Sequence, residues 1–335
     1  MAIRVLVVDD SAFMRKIISD MLNDIDGVQV VATARDGKTA IEIISRESLD
    51  IITLDVEMPG MDGLETLKRI KESSNVPVMM LSSNNKPETT IEALELGALD
   101  FIEKPVDIRT NITEIKRELE EKIKSLVGHK VETTQVNANP NKGQKTSRLR
   151  KFNALVIGAS TGGPKALVHL VSRLPESINI PVFIVQHMPK GFTTSLAERM
   201  DKESLVRVVE AKDNMPIVPG TVYLAPGDYH MVLTKGRIKL DEGDKLHGVR
   251  PAVDHLFNSA TEIYGENLLG VILTGMGKDG ADGMVKIKEK GGYNIVQNKE
   301  TCTVYGMPGS AVAKGVVDQI LSLEDISQAI NGMVR

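Results

Sequence analysis

The stretch Ile3-Arg4-Val5-Leu6-Val7-Val8-Asp9-Asp10-Ser11 sets the fold of the first half of the chain. An aliphatic run without polar alternation is what a strand covered on both faces looks like, and this one stops at two carboxylates. Runs of the same kind recur at Val28 to Thr33, Ile51 to Leu54, Val76 to Leu81 and Phe101 to Ile102. Between the first two, Phe13, Ile17, Ile18 and Met21 fall at helical spacing. A charged helix is predicted over about Ile108 to Leu126. Strand and helix in alternation predict an α/β domain over residues 1–127, doubly wound, with a five-stranded parallel sheet.

The pattern stops at Gly128. Residues 128–151 are polar, and Thr133 to Gly143 holds almost no large apolar side chain, too little to offset the entropy of ordering. A flexible linker is expected. The pattern resumes in 152–335 with a strand, Ala154 to Ile157, that runs into Gly158-Ala159-Ser160-Thr161-Gly162-Gly163-Pro164. A second strand, Val182 to Gln186, ends at His187. A β-rich middle follows over about Val206 to Leu240, with Lys235-Gly236 as a hairpin turn. The helix Val253 to Tyr264 then leads to the strand Leu268 to Leu273, which ends in a glycine-rich loop containing Asp279. This half reads as a second α/β domain, with a mostly parallel sheet and a β-hairpin-rich insert.

Composition narrows the classes. No apolar run approaches the roughly 18 residues of a membrane span, and the run Val5 to Val8 ends in acid with no small-residue cleavage site after it. Direct membrane insertion is not expected. A single cysteine, Cys302, excludes an internal disulfide and a cysteine-rich metal site. A cytoplasmic location is the simplest expectation. The net charge of −4 is uneven: residues 1–127 hold 16 basic against 24 acidic residues, whereas 128–151 hold 6 against 1. That basic stretch lacks interleaved aromatics, and 152–335 is near neutral, so nucleic acid is not the expected partner.

The strand ends carry the chemistry. Asp9, Asp10 and Asp55 are expected at one sheet edge, where three carboxylates repel unless a cation joins them. A hard divalent ion, Mg²⁺ above all, suits such oxygen donors. Ser82 and Lys104 follow later strands and could hold phosphoryl oxygens. In the second domain, Gly158-Ala159-Ser160-Thr161-Gly162 fits a turn that presents a nucleophilic serine ahead of a helix. Such a turn also suits a phosphate cradle, although the middle glycine of that fingerprint is missing. Of six histidines, only His187 directly follows a strand that could lie beside the serine's strand. Asp279 could orient it, or could simply form its own turn before Gly280.

Two resemblances sharpen this reading. Asp9-Asp10-Ser11, Asp55 with Met58-Pro59-Gly60-Met61-Asp62-Gly63, Ser82 and Lys104-Pro105 resemble the receiver domain of two-component response regulators. The resemblance implies Asp55 as phosphoacceptor. It implies Mg²⁺ on Asp10, Asp55 and the backbone carbonyl of Glu57, with Asp9 acting through water. Ser82 and Phe101 would be the switch positions, and a histidine kinase the phosphodonor. Gly158 to Gly163, Gln186-His187-Met188-Pro189, Arg250-Pro251-Ala252-Val253-Asp254, Leu273 to Gly277 with Asp279-Gly280, Gln297-Asn298 and Val304 to Pro308 resemble the chemotaxis protein-glutamate methylesterases. That family implies Ser160 as nucleophile, His187 as base and Asp279 as its orienter. It implies an oxyanion held by the backbone around Thr161 and Met276. The implied substrate is a glutamate γ-methyl ester on chemoreceptors, with glutamine deamidation as a second activity and no cofactor for the hydrolysis. The rivals are a receiver-controlled transcription factor, another receiver-regulated serine hydrolase and a nucleotide-binding oxidoreductase.

Overall fold

The computed structural model describes residues 2–83, 86–104, 108–128 and 151–334, with backbone alone for 108–111. Residues 129–150 of the expected linker, His129 and Pro105 lie outside the described residues. The chain divides into two compact units, Met1–Val127 and Gly128–Arg335.

The first unit alternates strand and helix: β1 (Ile3–Val8), α1 (Ala12–Asn23), β2 (Val28–Ala34), α2 (Gly37–Ile44), β3 (Ile51–Asp55), α3 (Gly63–Ser73), β4 (Val78–Ser82), α4 (Pro87–Glu95), β5 (Asp100–Glu103) and α5 (Ile108–Gly128). Small polar residues start the helices by accepting a free N–H. Ser11 accepts from Met14, Asp36 from Thr39 and Asp62 from Glu65. The sheet order is β2-β1-β3-β4-β5, parallel throughout. β3 and β4 are buried along their whole length, as their unbroken apolar runs require. On α1, Ile18, Met21 and Leu22 face the core, but Phe13 is 65% exposed. Helical spacing was legible there, and the inward face begins a turn later than the apolar pattern suggests.

The second unit holds β6 (Ala154–Ala159), α6 (Gly163–Val171), β7 (Val182–Gln186), α7 (Phe192–Glu203), β8 (Arg207–Glu210), β9 (Thr221–Leu224), β10 (His230–Thr234), β11 (Arg237–Asp241), α8 (Val253–Tyr264), β12 (Leu268–Ile272), α9 (Ala281–Glu289), β13 (Tyr293–Gln297), α10 (Gly306–Ala313), β14 (Gln319–Leu321) and α11 (Leu323–Met333). Its main sheet runs β14-β13-β12-β6-β7-β9-β8, with parallel pairing at every step. The β-rich middle divides in two. β8 and β9 join the main sheet, while β10 and β11 form an antiparallel hairpin around Lys235-Gly236. β6 and β12 are buried end to end, so the turns that leave them have rigid bases.

The strand order reverses between β1 and β3 in the first sheet and between β6 and β12 in the second. Crossovers leave such a point on opposite faces, which opens a crevice at the carboxyl ends of those strands. Both sets of candidate residues lie at these ends.

Candidate functional site

At the edge of the first sheet, Asp9 follows β1 and Asp55 ends β3. Both are buried, while Asp10 is exposed. Carboxylate oxygens of the three lie within 4.8 Å of one another. Lys104, just after β5, places Nζ 2.8 Å from Asp9 Oδ2 and 2.6 Å from Asp55 Oδ2. Asp55 Oδ1 also accepts the Glu57 N–H at 3.0 Å. Burial is the largest influence on Asp55 and pushes its carboxyl up to about 6, against the pull of Lys104 and the Glu57 N–H and with a further push from Asp9. Burial alone would lower Lys104, but Asp55 and Asp9 outweigh it and hold the ammonium above its ordinary value. The donors are all hard oxygens, and a cationic ammonium already bridges two of them. That set fits a hexacoordinate divalent ion such as Mg²⁺.

Ser82, at the end of β4, is engaged elsewhere. Its Oγ lies 2.6 Å from Thr90 Oγ1 on α4 and donates to the Ser83 carbonyl at 3.1 Å. Phe101 is buried, with Lys122 Nζ 5.5 Å from its ring centroid. The receiver resemblance implies only a carbonyl role for Glu57. Its side chain also accepts from Ser83 Oγ at 3.0 Å and pairs with Lys86 Nζ at 2.8 Å, a link from the β3 turn to the start of α4.

At the edge of the second sheet, Ser160 follows β6 and His187 follows β7. The backbones touch, because the His187 N–H donates to the Ala159 carbonyl at 3.1 Å. His187 Nε2 lies 2.8 Å from Asp279 Oδ2. An ionised carboxylate only accepts, so Nε2 carries the proton and Nδ1 is the basic nitrogen of the ring. Among the described residues no hydrogen bond joins the Ser160 hydroxyl to the imidazole, a bond that unliganded hydrolytic sites often leave unmade. The turn itself is tightly specified. Gly162 has φ +76, and a Cβ on Gly163 would lie 2.0 Å from Gln186 Oε1. The Ser160 N–H is spent on the Thr274 carbonyl at 3.1 Å. Thr161 is buried, with its carbonyl accepting Thr274 Oγ1 at 2.9 Å. Met276 lies half-buried beside Gly275, whose N–H donates to Val304 O at 3.0 Å.

Asp279 is 2% exposed and closes the start of α8. Its oxygens accept the N–H groups of Val253 at 2.6 Å, Asp254 at 3.0 Å and Gly280 at 2.9 Å. Burial works against the anion, but His187 and the backbone donors outweigh it and hold the carboxyl below its usual range. Two further residues escaped assignment from sequence. Buried Gln186 donates to the carbonyls of Ser160 at 3.0 Å and His187 at 3.1 Å, tying the two turns together. Asp254 pairs with His247 at 3.2 Å. Both stand in quoted motifs, and their burial was the missing signal. The other described histidines are used structurally. His169 pairs with Glu324 at 3.0 Å, and His230 accepts the Ala252 N–H at 3.1 Å with its ring tilted against that of His255.

Comparison with known proteins matches both units. Residues 155–330 match the family model described as CheB methylesterase, and residues 5–116 match the response regulator receiver domain. The chain is similar to the protein-glutamate methylesterase/protein-glutamine glutaminase of Symbiobacterium thermophilum, with 44% identity covering 99% of this chain and 97% of that protein. It is similar to the protein of the same name from Pyrococcus abyssi, with 42% identity covering 98% and 92%. The crystal structure of the Thermotoga maritima CheB methylesterase catalytic domain matches with 45% identity and a TM-score of 0.53, covering 55% of this chain and all of that one. No described helix is long and apolar enough to cross a membrane.

Proposed function

The chain belongs to the CheB methylesterase family and carries a response regulator receiver domain, and from that premise we infer that it hydrolyses glutamate γ-methyl esters on chemoreceptors under the control of phosphorylation. One observation carries the reading of the hydrolytic site. The buried Asp279 carboxylate, fixed by three backbone N–H groups, holds His187 Nε2 at 2.8 Å while Ser160 leads off the adjacent strand. Asp279 thereby selects the tautomer with Nδ1 free to act as base. Ser160 Oγ forms a bond to the ester carbonyl carbon as its proton passes to Nδ1. Collapse of the tetrahedral intermediate breaks the bond to methoxide, which takes that proton and leaves as methanol. Water then repeats the sequence on the glutamyl-enzyme and frees Ser160. With a glutamine side chain the same steps release ammonia. The Ser160 N–H is bonded to the Thr274 carbonyl, and the oxyanion is assigned to Thr161 and the backbone around Met276.

In the receiver, residues 1–127, Asp55 takes the phosphoryl group from a phosphohistidine of the chemotaxis kinase. Asp9, Asp10, Asp55 and the Glu57 carbonyl would hold Mg²⁺, which supplies charge neutralisation at the phosphoryl oxygens. Lys104 pairs with those oxygens, and Ser82 and Phe101 carry the change outward. Before phosphorylation the receiver restrains the catalytic domain, residues 152–335, to which residues 128–151 tether it. The assignment places the protein in the cytoplasm, without nucleic acid as partner. The test is methanol release from methylated receptor fragments. Replacing Ser160 by Ala is expected to cost up to ~10⁶ in turnover, by analogy with other triads. Undiminished release would remove Ser160 from the mechanism.

A further inference from the structure

Two imidazole–carboxylate pairs sit back to back in the second unit, and the proposed reaction uses only one of them. The second joins His247 Nε2 to Asp254 Oδ2 at 3.2 Å. Asp254 is 2% exposed and lies in the first turn of α8. Burying a carboxylate is costly, so its bonds should show what it does. Its N–H donates to Asp279 Oδ1 at 3.0 Å, and its own Oδ1 accepts the Gly283 N–H at 2.6 Å in the first turn of α9. Asp279 thus closes the start of α8, and Asp254 closes the start of α9, the helix into which the Asp279 loop runs. Packing tightens the same junction. A Cβ on Gly280 would meet Val253 Cγ1 at 2.7 Å, and one on Gly283 would meet Phe257 Cβ at 2.5 Å. Neither loop can shift without undoing the other's closure.

We propose that Asp254 is a positioning residue for the hydrolysis: the reciprocal closure of α8 and α9 fixes the Asp279 carboxylate against His187 Nε2. The inference rests on the reading of Asp279 as the group that orients His187. Among the described residues three titratable groups face Asp254: His247 from the loop before α8, Asp279 from the loop after β12, and Asp282 from α9, the last paired with Lys314 Nζ at 2.8 Å. Burial first, then Asp279, holds the Asp254 carboxyl above its ordinary range, against the pull of the Gly283 N–H and His247. His247 therefore helps keep the group ionised.

The experiment uses the full-length chain and its Asp254→Asn, His247→Asn and Asp279→Asn variants. Asn at 254 still accepts from Gly283, and Asn at 247 tolerates the left-handed backbone there, φ +54. Methanol release from a methylated receptor fragment is followed against pH with kcat and KM separated, and thermal unfolding is recorded for each variant. Asp254→Asn is expected to fold, to change KM by no more than about twofold and to lose on the order of 10–100-fold in kcat. The acid limb of its kcat/KM profile moves to lower pH, because a neighbouring negative charge has been removed from the base. His247→Asn moves the same limb the same way by less, since an unpaired Asp254 takes up a proton more readily. An unmoved limb in Asp254→Asn overturns the proposal, whether kcat is intact or falls only with the folded fraction. If Asp279→Asn keeps full turnover, the triad reading itself fails and this inference with it. If Asp279→Asn is inactive while Asp254→Asn behaves as wild type, this inference alone fails.

Discussion

Asp55 and Asp279 are both buried at the carboxyl ends of parallel strands, both beside a nitrogen base, and they end up on opposite sides of the ordinary carboxylate range. Asp55 has one backbone N–H, the Lys104 ammonium and a second carboxylate, Asp9, close by. Burial dominates, and its carboxyl is pushed up to about 6. Asp279 has three backbone N–H groups and an imidazole, and its carboxyl falls below the usual value. The imidazole of His187 first, and the backbone donors after it, decide the difference. Asp279 is satisfied by the chain and suited to stay ionised through many turnovers. Asp55 is short of partners and suited to receive a cation and then a phosphoryl group.

The same substitution at both sites should have its largest effect at Asp279. Asp279→Asn is expected to lower kcat by about 10⁴, because the carboxamide can hold the wrong imidazole tautomer. A loss below tenfold in methanol release would mean that Asp279 does not orient the base. Stability should respond with opposite signs. In metal-free buffer near neutral pH, Asp55→Asn should stabilise the receiver by roughly 1–3 kcal/mol, since it removes a charge that burial disfavours. Asp279→Asn should destabilise the catalytic unit by a similar amount, about 1–3 kcal/mol, because three amides lose an anionic acceptor. All five tyrosines lie between 223 and 305, so tyrosine fluorescence in urea follows the catalytic unit and hydrogen exchange follows the receiver. Two changes of the same sign would undo the argument.

The pH dependence follows from the same shifts. The folded-state value of Asp55 is raised, so its contribution is fully present below about pH 4 and is lost as pH rises through about 6. The folded-state value of Asp279 is depressed, so its contribution is present above about pH 4 and is lost as pH falls through that lowered value. Receiver stability without metal should therefore decline between about pH 4 and 6, where the Asp279 contribution holds steady. Urea midpoints at pH 4.5 and 6.5 check this, and a receiver midpoint that rises over the interval would contradict it. The smallest expected effect is at α4. Thr90→Val removes the partner of the buried Ser82 hydroxyl and should cost about 1 kcal/mol. A cost indistinguishable from zero would mean that the hydroxyl finds another acceptor.

Much of this was legible in the sequence because unbroken apolar runs ending in acid, hydroxyl or glycine mark buried strands and their carboxyl ends. Asp9, Asp55, Ser160 and His187 sit at or just past such ends, Asp279 sits in the glycine-rich loop that follows one, and a parallel sheet brings those ends to one edge. The supporting contacts were not legible, because they cross the chain. Asp279 is held by the start of a helix some 25 residues earlier. Asp254 stands in a motif at the start of an amphipathic helix, where nothing in the sequence marks it as buried, and its burial depends on α9 packing against that turn. Phe13 shows the converse. Its spacing matches the buried face of α1, yet it lies one turn too early to meet the sheet and is exposed.

On the proposed reading, Ser160 does chemistry under the control of Asp55. The most direct test is the initial rate of methanol release by full-length protein, measured with and without acetyl phosphate and Mg²⁺, for the wild type, Asp55→Asn and Ser160→Ala. The phosphodonor should speed the wild type, leave Asp55→Asn at its unstimulated rate, and find no measurable rate to stimulate in Ser160→Ala. Equal stimulation of wild type and Asp55→Asn, or continued release by Ser160→Ala, would contradict that reading.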